Sequence, residues 1–140
     1  MNNSRRAIFF LLFLTGFFLF ILQPVFCADE VESSTAKIDY GILAGKWQRT
    51  DGNYLIKVSD VQSEGQATVT YFNPRSIHVA TAAISTEKEL LKLFIKFQDK
   101  GYEGSSYSLY YYAEKDALLG FYYQAPMDKT YEVIFLRYKK

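Results

Sequence analysis

The side chains that most often carry out catalysis are scarce in this chain, and this limits the reactions it could perform. It has one histidine, His78, and one cysteine, Cys27. A nucleophilic Ser or Cys needs a base within hydrogen-bonding distance, so these pairs have few ways to form here. His78 lies between Ile77 and Val79 in a β-rich run. Alternation along a strand therefore predicts that the His78 side chain points to the outer, solvated side.

Paired carboxylates could hydrolyse a glycoside without any histidine. Each candidate acid is expected at a turn or a strand end, whereas a catalytic acid usually needs a buried setting that raises its pKa. These acids are Asp51, Asp60, Asp99, Glu103, Glu114, Asp116 and Asp128. Asp99 and Glu103 share a glycine-containing loop that could ligate Ca²⁺, but their spacing is more typical of a solvated turn. We therefore predict no catalytic residues, no metal site, no cofactor and no enzymatic activity.

Tyrosine is the residue type that stands out, with 12 copies in the chain. Many of them fall in one predicted hairpin. If its turn centres on residues 115–116, Tyr111 lies opposite Gly120, with Leu109 on the same inward face. The outward face would then carry Tyr110, Tyr112, Leu119, Phe121 and Tyr123. An outward aromatic patch indicates a contact surface for a protein, a second subunit or a glycan, although tyrosine also suits any half-exposed sheet.

The elements that must position these side chains are short strands. After residue 40, β-rich runs recur about every 10 to 12 residues and are separated by turn residues, a spacing typical of β-sandwiches and β-barrels. The eight runs are 43–50, 53–61, 66–73, 77–86, 89–98, 105–113, 117–124 and 130–138. Short connections favour antiparallel pairing of neighbours, and closure removes the exposed edges of such a meander. We predict an all-β fold, an eight-stranded antiparallel up-and-down β-barrel over residues 41–140.

Alternation within these runs also predicts which side chains enter the barrel. In the fifth run Leu91, Leu93, Ile95 and Phe97 share the inward face. Aromatic walls with a few polar groups form a small-molecule site, while bulky rings could instead fill an eight-stranded barrel completely. The predicted ligand-binding residues are Trp47, Tyr54, Tyr71, Tyr107, Tyr122, Gln124 and Arg137.

The two ends of the predicted barrel carry a family resemblance. Gly45-Lys46-Trp47 opens the first strand and Arg137 closes the last. This pattern resembles the calycins, which include lipocalins, fatty-acid-binding proteins and avidins and carry Gly-x-Trp on the first strand. In lipocalins an arginine near the last strand packs across the Trp, so the resemblance implies a cation–π contact between Trp47 and Arg137. It also implies a barrel that holds a small apolar or amphipathic ligand.

Residues 1–27 read as a secretory signal peptide. Arg5 and Arg6 precede an apolar run at 7–26, and the spacing of small residues predicts cleavage between Cys27 and Ala28. Residues 28–40 are polar and predict a flexible leader. An uncleaved membrane anchor and a lipid-modified Cys27 are alternatives. We predict a periplasmic or secreted protein with no stable membrane span after cleavage.

The net charge of the chain after cleavage of the signal peptide indicates which kinds of partner it could bind. Without Arg5 and Arg6 the chain keeps 14 Lys+Arg against 15 Asp+Glu, a net charge of about −1. This lacks the bulk positive charge that drives nucleic-acid binding. Two non-catalytic functions are left: a small ligand held by the barrel, or a protein-interaction or self-association module that uses the tyrosine hairpin, as in a homo-oligomer. A packed barrel interior would weigh against the first.

Overall fold

The computed structural model describes residues 38–139, which form one antiparallel sheet of nine strands. The strands are β1 (Gly45–Arg49), β2 (Leu55–Ser59), β3 (Thr68–Asn73), β4 (Arg75–Ile77), β5 (Val79–Glu87), β6 (Leu90–Phe97), β7 (Ser106–Tyr112), β8 (Ala117–Gln124) and β9 (Lys129–Arg137). Short 3-10 helices occupy Tyr40–Leu43, Ala113–Lys115 and Ala125–Met127. The predicted signal peptide, its cleavage site and most of the leader lie outside the described residues.

The sheet curls into a nearly closed barrel. Its strand order is β4-β3-β2-β1-β9-β8-β7-β6-β5, so neighbours in sequence pair and β1 pairs with β9. The two flanks approach each other where Gln66 pairs with Ala83 in an isolated bridge. Beside that bridge the Ile84 N–H donates to the Gly65 carbonyl oxygen at 2.6 Å. The predicted antiparallel up-and-down β-barrel is confirmed, with nine strands where eight were expected.

The additional strand is β4. It arises because the chain is divided at His78 and residues 75–76, predicted to lie between two runs, join Ile77 in a short strand. Before His78, β4 pairs with β3; after it, β5 pairs with β6. The His78 N–H donates to an Asp99 carboxylate oxygen at 3.2 Å, and the His78 carbonyl accepts from the Gln98 N–H at 3.1 Å. Its peptide groups thus bond the loop after β6 rather than β3. The His78 side chain is exposed, as the alternation predicted.

The inward face of the barrel follows the predicted period of two. Leu93, Ile95 and Phe97 are buried on β6, whereas Lys96 is exposed. The same alternation buries Ile56 and Val58 on β2, Val69 and Tyr71 on β3, and Val133 and Phe135 on β9.

The register of the tyrosine hairpin differs from the prediction, although its faces do not. Leu109 lies opposite Gly120, and Tyr111 lies opposite Leu118; the predicted pairing of Tyr111 with Gly120 is wrong. The connection is the 3-10 helix Ala113–Lys115 followed by Asp116 at φ +43°. This four-residue turn centres one residue earlier than assumed, so every cross-strand pair shifts by two residues and the inward and outward sets are preserved.

Large aromatic side chains fill the barrel interior. Trp47, Tyr71, Phe97, Tyr107 and Phe135 are each at most 1% exposed. Their rings meet edge-on or tilted, with centroids 4.8 Å apart for Tyr71 and Phe97 and 5.4 Å apart for Tyr107 and Phe135. Such pairs contribute about 0.5–1.5 kcal/mol each beyond their burial. The middle of the barrel is therefore a packed core, and its two ends are the places where side chains meet solvent.

Candidate functional site

One end of the barrel is closed by Arg137. This residue lies directly opposite Trp47 in the β1–β9 pair, and its guanidinium carbon is 4.0 Å from the centroid of the indole ring. Its Nε is 2.7 and 2.9 Å from the two carboxylate oxygens of Asp116. Its Nη1 and Nη2 donate to the carbonyl oxygens of Ala44 and Ile42, both at 2.8 Å. The contact predicted between Trp47 and Arg137 is confirmed.

The chain before β1 completes this closed end. The Trp47 Nε1 donates to the Leu43 carbonyl oxygen at 2.9 Å, and Leu43 itself is fully buried. Tyr111 packs edge-on against the Trp47 ring, with centroids 6.0 Å apart, and its hydroxyl donates to Asp116 at 3.1 Å. Because the donors of Trp47 and Arg137 bond the protein itself, these two side chains form a plug. An apolar recess of about 560 Å³ lies outside the plug, where Ile42, Leu91 and Tyr111 line it.

The opposite end is an open mouth with a pocket of about 350 Å³. Asp116 directly precedes β8 at the closed end, whereas Gln124 ends the same strand at the mouth. The lining residues are Arg49, Tyr54, Tyr71, Asn73, Gly101, Tyr102, Tyr122, Gln124 and Tyr131. Four of the predicted ligand-binding residues, Tyr54, Tyr71, Tyr122 and Gln124, come together here. We call this set of nine residues the mouth pocket.

The floor of the mouth pocket is a hydrogen-bonded group of buried hydroxyls. The Tyr107 hydroxyl oxygen lies 3.2 Å from the Tyr71 hydroxyl and accepts from Arg49 Nη1 at 3.2 Å. Burial raises the pKa of Tyr71 and of Tyr107 above its ordinary value, since the low-dielectric core disfavours a phenolate. Both hydroxyls therefore stay protonated near neutral pH, where they can donate and accept hydrogen bonds.

Arg49 is one of the five mouth residues that the sequence analysis did not predict; the others are Asn73, Gly101, Tyr102 and Tyr131. Its Nη2 donates to Asp51 at 2.7 Å, and its Nε bonds the other carboxylate oxygen. The guanidinium carbon also lies 4.4 Å from the centroid of the Tyr54 ring. The hydrogen bond from Arg49 lowers the pKa of Asp51, which keeps this ion pair formed at neutral pH. Arg49 follows Trp47 by two residues, so alternation along the first run would have placed it inward.

The remaining mouth residues present ring faces and neutral polar groups. Tyr54 and Tyr71 are nearly parallel, at 3°, with centroids 6.5 Å apart. Tyr122 and Tyr131 are stacked at 23° with centroids 6.3 Å apart, and Tyr131 is 39% exposed. Asn73 Nδ2 donates to the Tyr102 hydroxyl at 2.6 Å. The pocket can therefore receive a flat molecule that stacks on tyrosine and hydrogen-bonds to hydroxyl and amide groups.

A second candidate surface lies outside the barrel on β7, β8 and β9. Three of the predicted outward residues are exposed: Phe121 is 47%, Tyr112 41% and Tyr123 37% exposed. Tyr110 and Leu119 are half-buried. Leu119 is opposite both Tyr110 and Ile134, so the apolar surface continues across three strands. An open groove of about 590 Å³ runs over it. The outer patch is defined as Tyr110, Tyr112, Leu119, Phe121, Tyr123, Ile134 and Leu136.

Comparisons of the chain with known protein families, with curated proteins and with solved structures give no match. Within residues 38–139, no helix is long and apolar enough to cross a membrane. In the same range, no group of three or more His, Cys, Asp and Glu side chains is placed to hold a metal ion. The two surfaces described above, the mouth pocket and the outer patch, are therefore the basis for a functional proposal.

Proposed function

We propose that this chain is an exported, non-catalytic binding protein of calycin type that holds a small amphipathic ligand at the mouth of its barrel. The observation that carries the proposal is the contrast between the two ends. Arg137 and Trp47 plug one end with bonds to the protein itself. The other end gathers tyrosine faces and polar groups around a recess of about 350 Å³.

The size and the lining of the mouth pocket favour an amphipathic ligand over a purely apolar one. Its volume is near the lower end of the range of about 300–1,000 Å³ for small-molecule sites. The nine lining residues are five tyrosines, an arginine, two amides and a glycine. A hydrocarbon tail could make no hydrogen bond to the hydroxyl and amide groups of the lining, and covering such groups with an apolar chain is unfavourable.

The calycin assignment is supported by the first and last strands. Gly45-Lys46-Trp47 begins β1, and Arg137, the last residue of β9, stacks on the Trp47 ring. The export assignment is supported by the signal-like residues 1–27. N-terminal sequencing of the protein from its export compartment tests it: we expect Ala28 as the first residue, and a retained Met1 would indicate a membrane anchor instead.

Ligand binding is tested by native mass spectrometry of the gently purified, exported protein. We expect an adduct of a few hundred daltons on the folded chain. Tyr131→Ala should lose the adduct because it removes an exposed ring of the mouth. Tyr138→Ala is the matched control, since Tyr138 is 45% exposed but does not line the mouth pocket. If the adduct is retained in both Tyr131→Ala and Gln124→Ala, the ligand binds outside the mouth pocket.

The outer patch supports a second candidate function, self-association with another copy of the chain. A contiguous exposed apolar surface on a sheet favours association. Lys92 flanks the patch on β6 and Glu132 flanks it on β9. Lys92 is already bonded to Glu87 at 2.6 Å, so the support for a second copy is the exposed apolar surface, which can face its own copy across a two-fold axis.

Self-association is tested by light scattering during size-exclusion chromatography. We expect a dimer mass for the exported protein and a monomer mass for Phe121→Ser, which removes the most exposed ring of the patch. Met127→Ser is the control, because Met127 is 52% exposed and lies off the patch. A monomer at all concentrations would exclude this function and leave the mouth pocket proposal intact.

A further inference from the structure

We infer that the ligand of the mouth pocket is a neutral carbohydrate, a mono- or disaccharide whose ring stacks on the exposed tyrosines. The inference rests on the proposed function of the mouth pocket and names the ligand class. Three properties of the nine lining residues carry it: the cancelled charge, the kind of hydrogen-bonding groups and the arrangement of the rings.

The charge at the mouth is cancelled within the protein. Arg49 is the one formally charged residue of the lining, and both oxygens of Asp51 bind its guanidinium. The Arg49 side chain is 12% exposed, and its remaining contacts are to Tyr107 and to the face of Tyr54. An anionic ligand would meet a guanidinium whose charge Asp51 already neutralises, so the site favours an uncharged one.

The polar groups of the pocket match those of a sugar. A tyrosine hydroxyl both donates and accepts one or more hydrogen bonds, and an amide side chain does the same through separate atoms. Sugar hydroxyls also both donate and accept hydrogen bonds, and they are distributed around the sugar ring. Tyr102, Gln124 and Asn73 line one pocket with the phenol groups of Tyr122 and Tyr131. An aliphatic chain could use none of these groups.

The ring arrangement supplies the apolar half of sugar recognition. The electron-rich face of an aromatic ring attracts the polarised C–H groups on the flat side of a sugar. Tyr131 is 39% exposed and stacks on the buried ring of Tyr122, so its orientation is fixed before a ligand arrives. Tyr54 is likewise ordered, since it contacts the Arg49 guanidinium and lies nearly parallel to Tyr71. Pre-ordered rings reduce the entropy lost on binding.

The test is an NMR titration of the exported, isotope-labelled protein with defined probes. The neutral probes are cellobiose, maltose and N,N′-diacetylchitobiose; the anionic probe is digalacturonate, and the apolar probe is decanoate. We expect at least one neutral disaccharide to shift the amide signals of Gly101, Tyr102 and Gln124. Tyr131→Ala should weaken that binding at least tenfold, while Tyr138→Ala should leave it within twofold.

A charge variant sharpens the test. Asp51→Asn removes the partner that neutralises Arg49, so the ratio of the affinity for digalacturonate to the affinity for the neutral probe should rise at least threefold; an unchanged ratio would contradict the charge argument. Circular dichroism confirms that each variant is folded before it is titrated.

The possible failures are distinguishable. If decanoate or digalacturonate binds the unmodified mouth and no neutral disaccharide does, the carbohydrate inference is overturned and the proposed binding function stands. If native mass spectrometry shows an adduct that is not a saccharide, the outcome is the same. If no probe shifts the mouth signals and no adduct is found, both the inference and the proposed function fall.

Discussion

Arg137 shows how much one side chain can organise at the end of a barrel. Its guanidinium lies on the indole of Trp47 and bonds both the Asp116 carboxylate and two carbonyl groups of the chain before β1. It thus joins β9, β1, the β7–β8 turn and the segment 42–44. A planar group with five donors suits this role better than the point charge of a lysine.

Replacing this arginine should loosen the closed end. We expect Arg137→Ala to lower the free energy of unfolding by about 2 kcal/mol or more, because it removes a cation–π contact and several charge-assisted hydrogen bonds. Arg137→Lys should fall between Ala and the native residue. Chemical denaturation measures the change, and Lys129→Ala, an exposed charge loss on the same strand, serves as the control. Equal midpoints for Arg137→Ala and Lys129→Ala would show that the plug adds no stability.

Asp116 gives the closed end a pH dependence. Hydrogen bonds from Arg137, and then from Tyr111, lower the pKa of Asp116 below its ordinary value of 3.8 in the folded protein. A carboxylate with a lowered folded pKa stabilises the protein above its unfolded pKa, and this stabilisation is lost as the pH falls through the folded value. The plug should therefore weaken in acid, below about pH 4.

Asp116→Asn tests that linkage. Asparagine suits the left-handed backbone at this position, where φ is +43°. We expect a lower melting temperature than the native protein at pH 7 and a difference that shrinks between pH 4 and pH 2. Thermal unfolding followed by circular dichroism at each pH measures it, with Glu114→Gln as the control in the same turn. A difference that stays constant down to pH 2 would contradict the linkage.

Some site residues could be predicted from the sequence and others could not. The Trp47–Arg137 contact follows from the first and last strands being neighbours, which a closed meander requires. Arg49 could have been predicted as an inward residue, since it shares a face with Trp47. A charged residue two positions before Asp51 is, however, more typical of a solvent-exposed turn. That Tyr54 and Tyr131 share one mouth with Gln124 depends on strand register, which period-two alternation does not fix.

At the scale of elements, the tyrosine hairpin depends on one close backbone approach. Gly120 lies on β8 opposite Leu109, and a Cβ there would stand 2.0 Å from the Ser108 carbonyl oxygen and 3.0 Å from the Leu109 Cα. The obstacle is backbone, so a side-chain rotation cannot relieve it. Glycine is thus required at position 120 because a side chain would clash with the neighbouring strand, and not because of its φ and ψ angles.

We expect Gly120→Ala to destabilise the barrel by about 1–3 kcal/mol, as overpacking does, because β7 and β8 must move apart. Gly101→Ala is a useful comparison, since its added Cβ meets nothing within 4 Å and only its φ of +84° opposes the change. That variant should lose about 1 kcal/mol. Denaturation midpoints measure both. If Gly120→Ala is the milder of the two, the close approach is not limiting.

The elements also show where sequence reasoning loses accuracy. Periodicity predicts eight of the nine strands to within two or three residues, because inward positions must be apolar wherever the strand runs; β4 is not among them. The turn of the tyrosine hairpin was centred one residue late, because a 3-10 helix ending in left-handed Asp116 leaves no periodic signal. The division at His78 leaves no signal either, since Ile77 and Val79 alternate with His78 as they would in one strand, although β4 and β5 have different partners.

At the scale of the whole molecule, the barrel has a packed interior, one end plugged by Trp47 and Arg137, and one open end with the mouth pocket. It also has a seam, the line along which the two flanks of the sheet meet. Because side chains fill the interior, a ligand would have to bind at the rim of the barrel, and the proposed function is therefore placed at the mouth pocket. The seam lies between the β2–β3 connection and β5. It is joined by the Gln66–Ala83 bridge and by the hydrogen bond from Ile84 to Gly65, whose φ of +85° permits the approach.

A cross-link across the seam should show how much closure contributes. Gln66 and Ala83 face each other in an antiparallel bridge and are both exposed, and directly opposed antiparallel residues have Cα atoms at a distance that a disulfide can span. Oxidised Gln66→Cys/Ala83→Cys should gain up to about 3 kcal/mol over its reduced form, the value expected for closing a loop of this length. Thermal melts with and without reductant measure the gain. Because Gln66 precedes β3 whereas the mouth residues Tyr71 and Asn73 lie toward the other end of that strand, the oxidised variant should also keep the native protein's affinity for a mouth ligand. An oxidised form no more stable than the reduced one would mean that the seam is already held closed by the rest of the barrel.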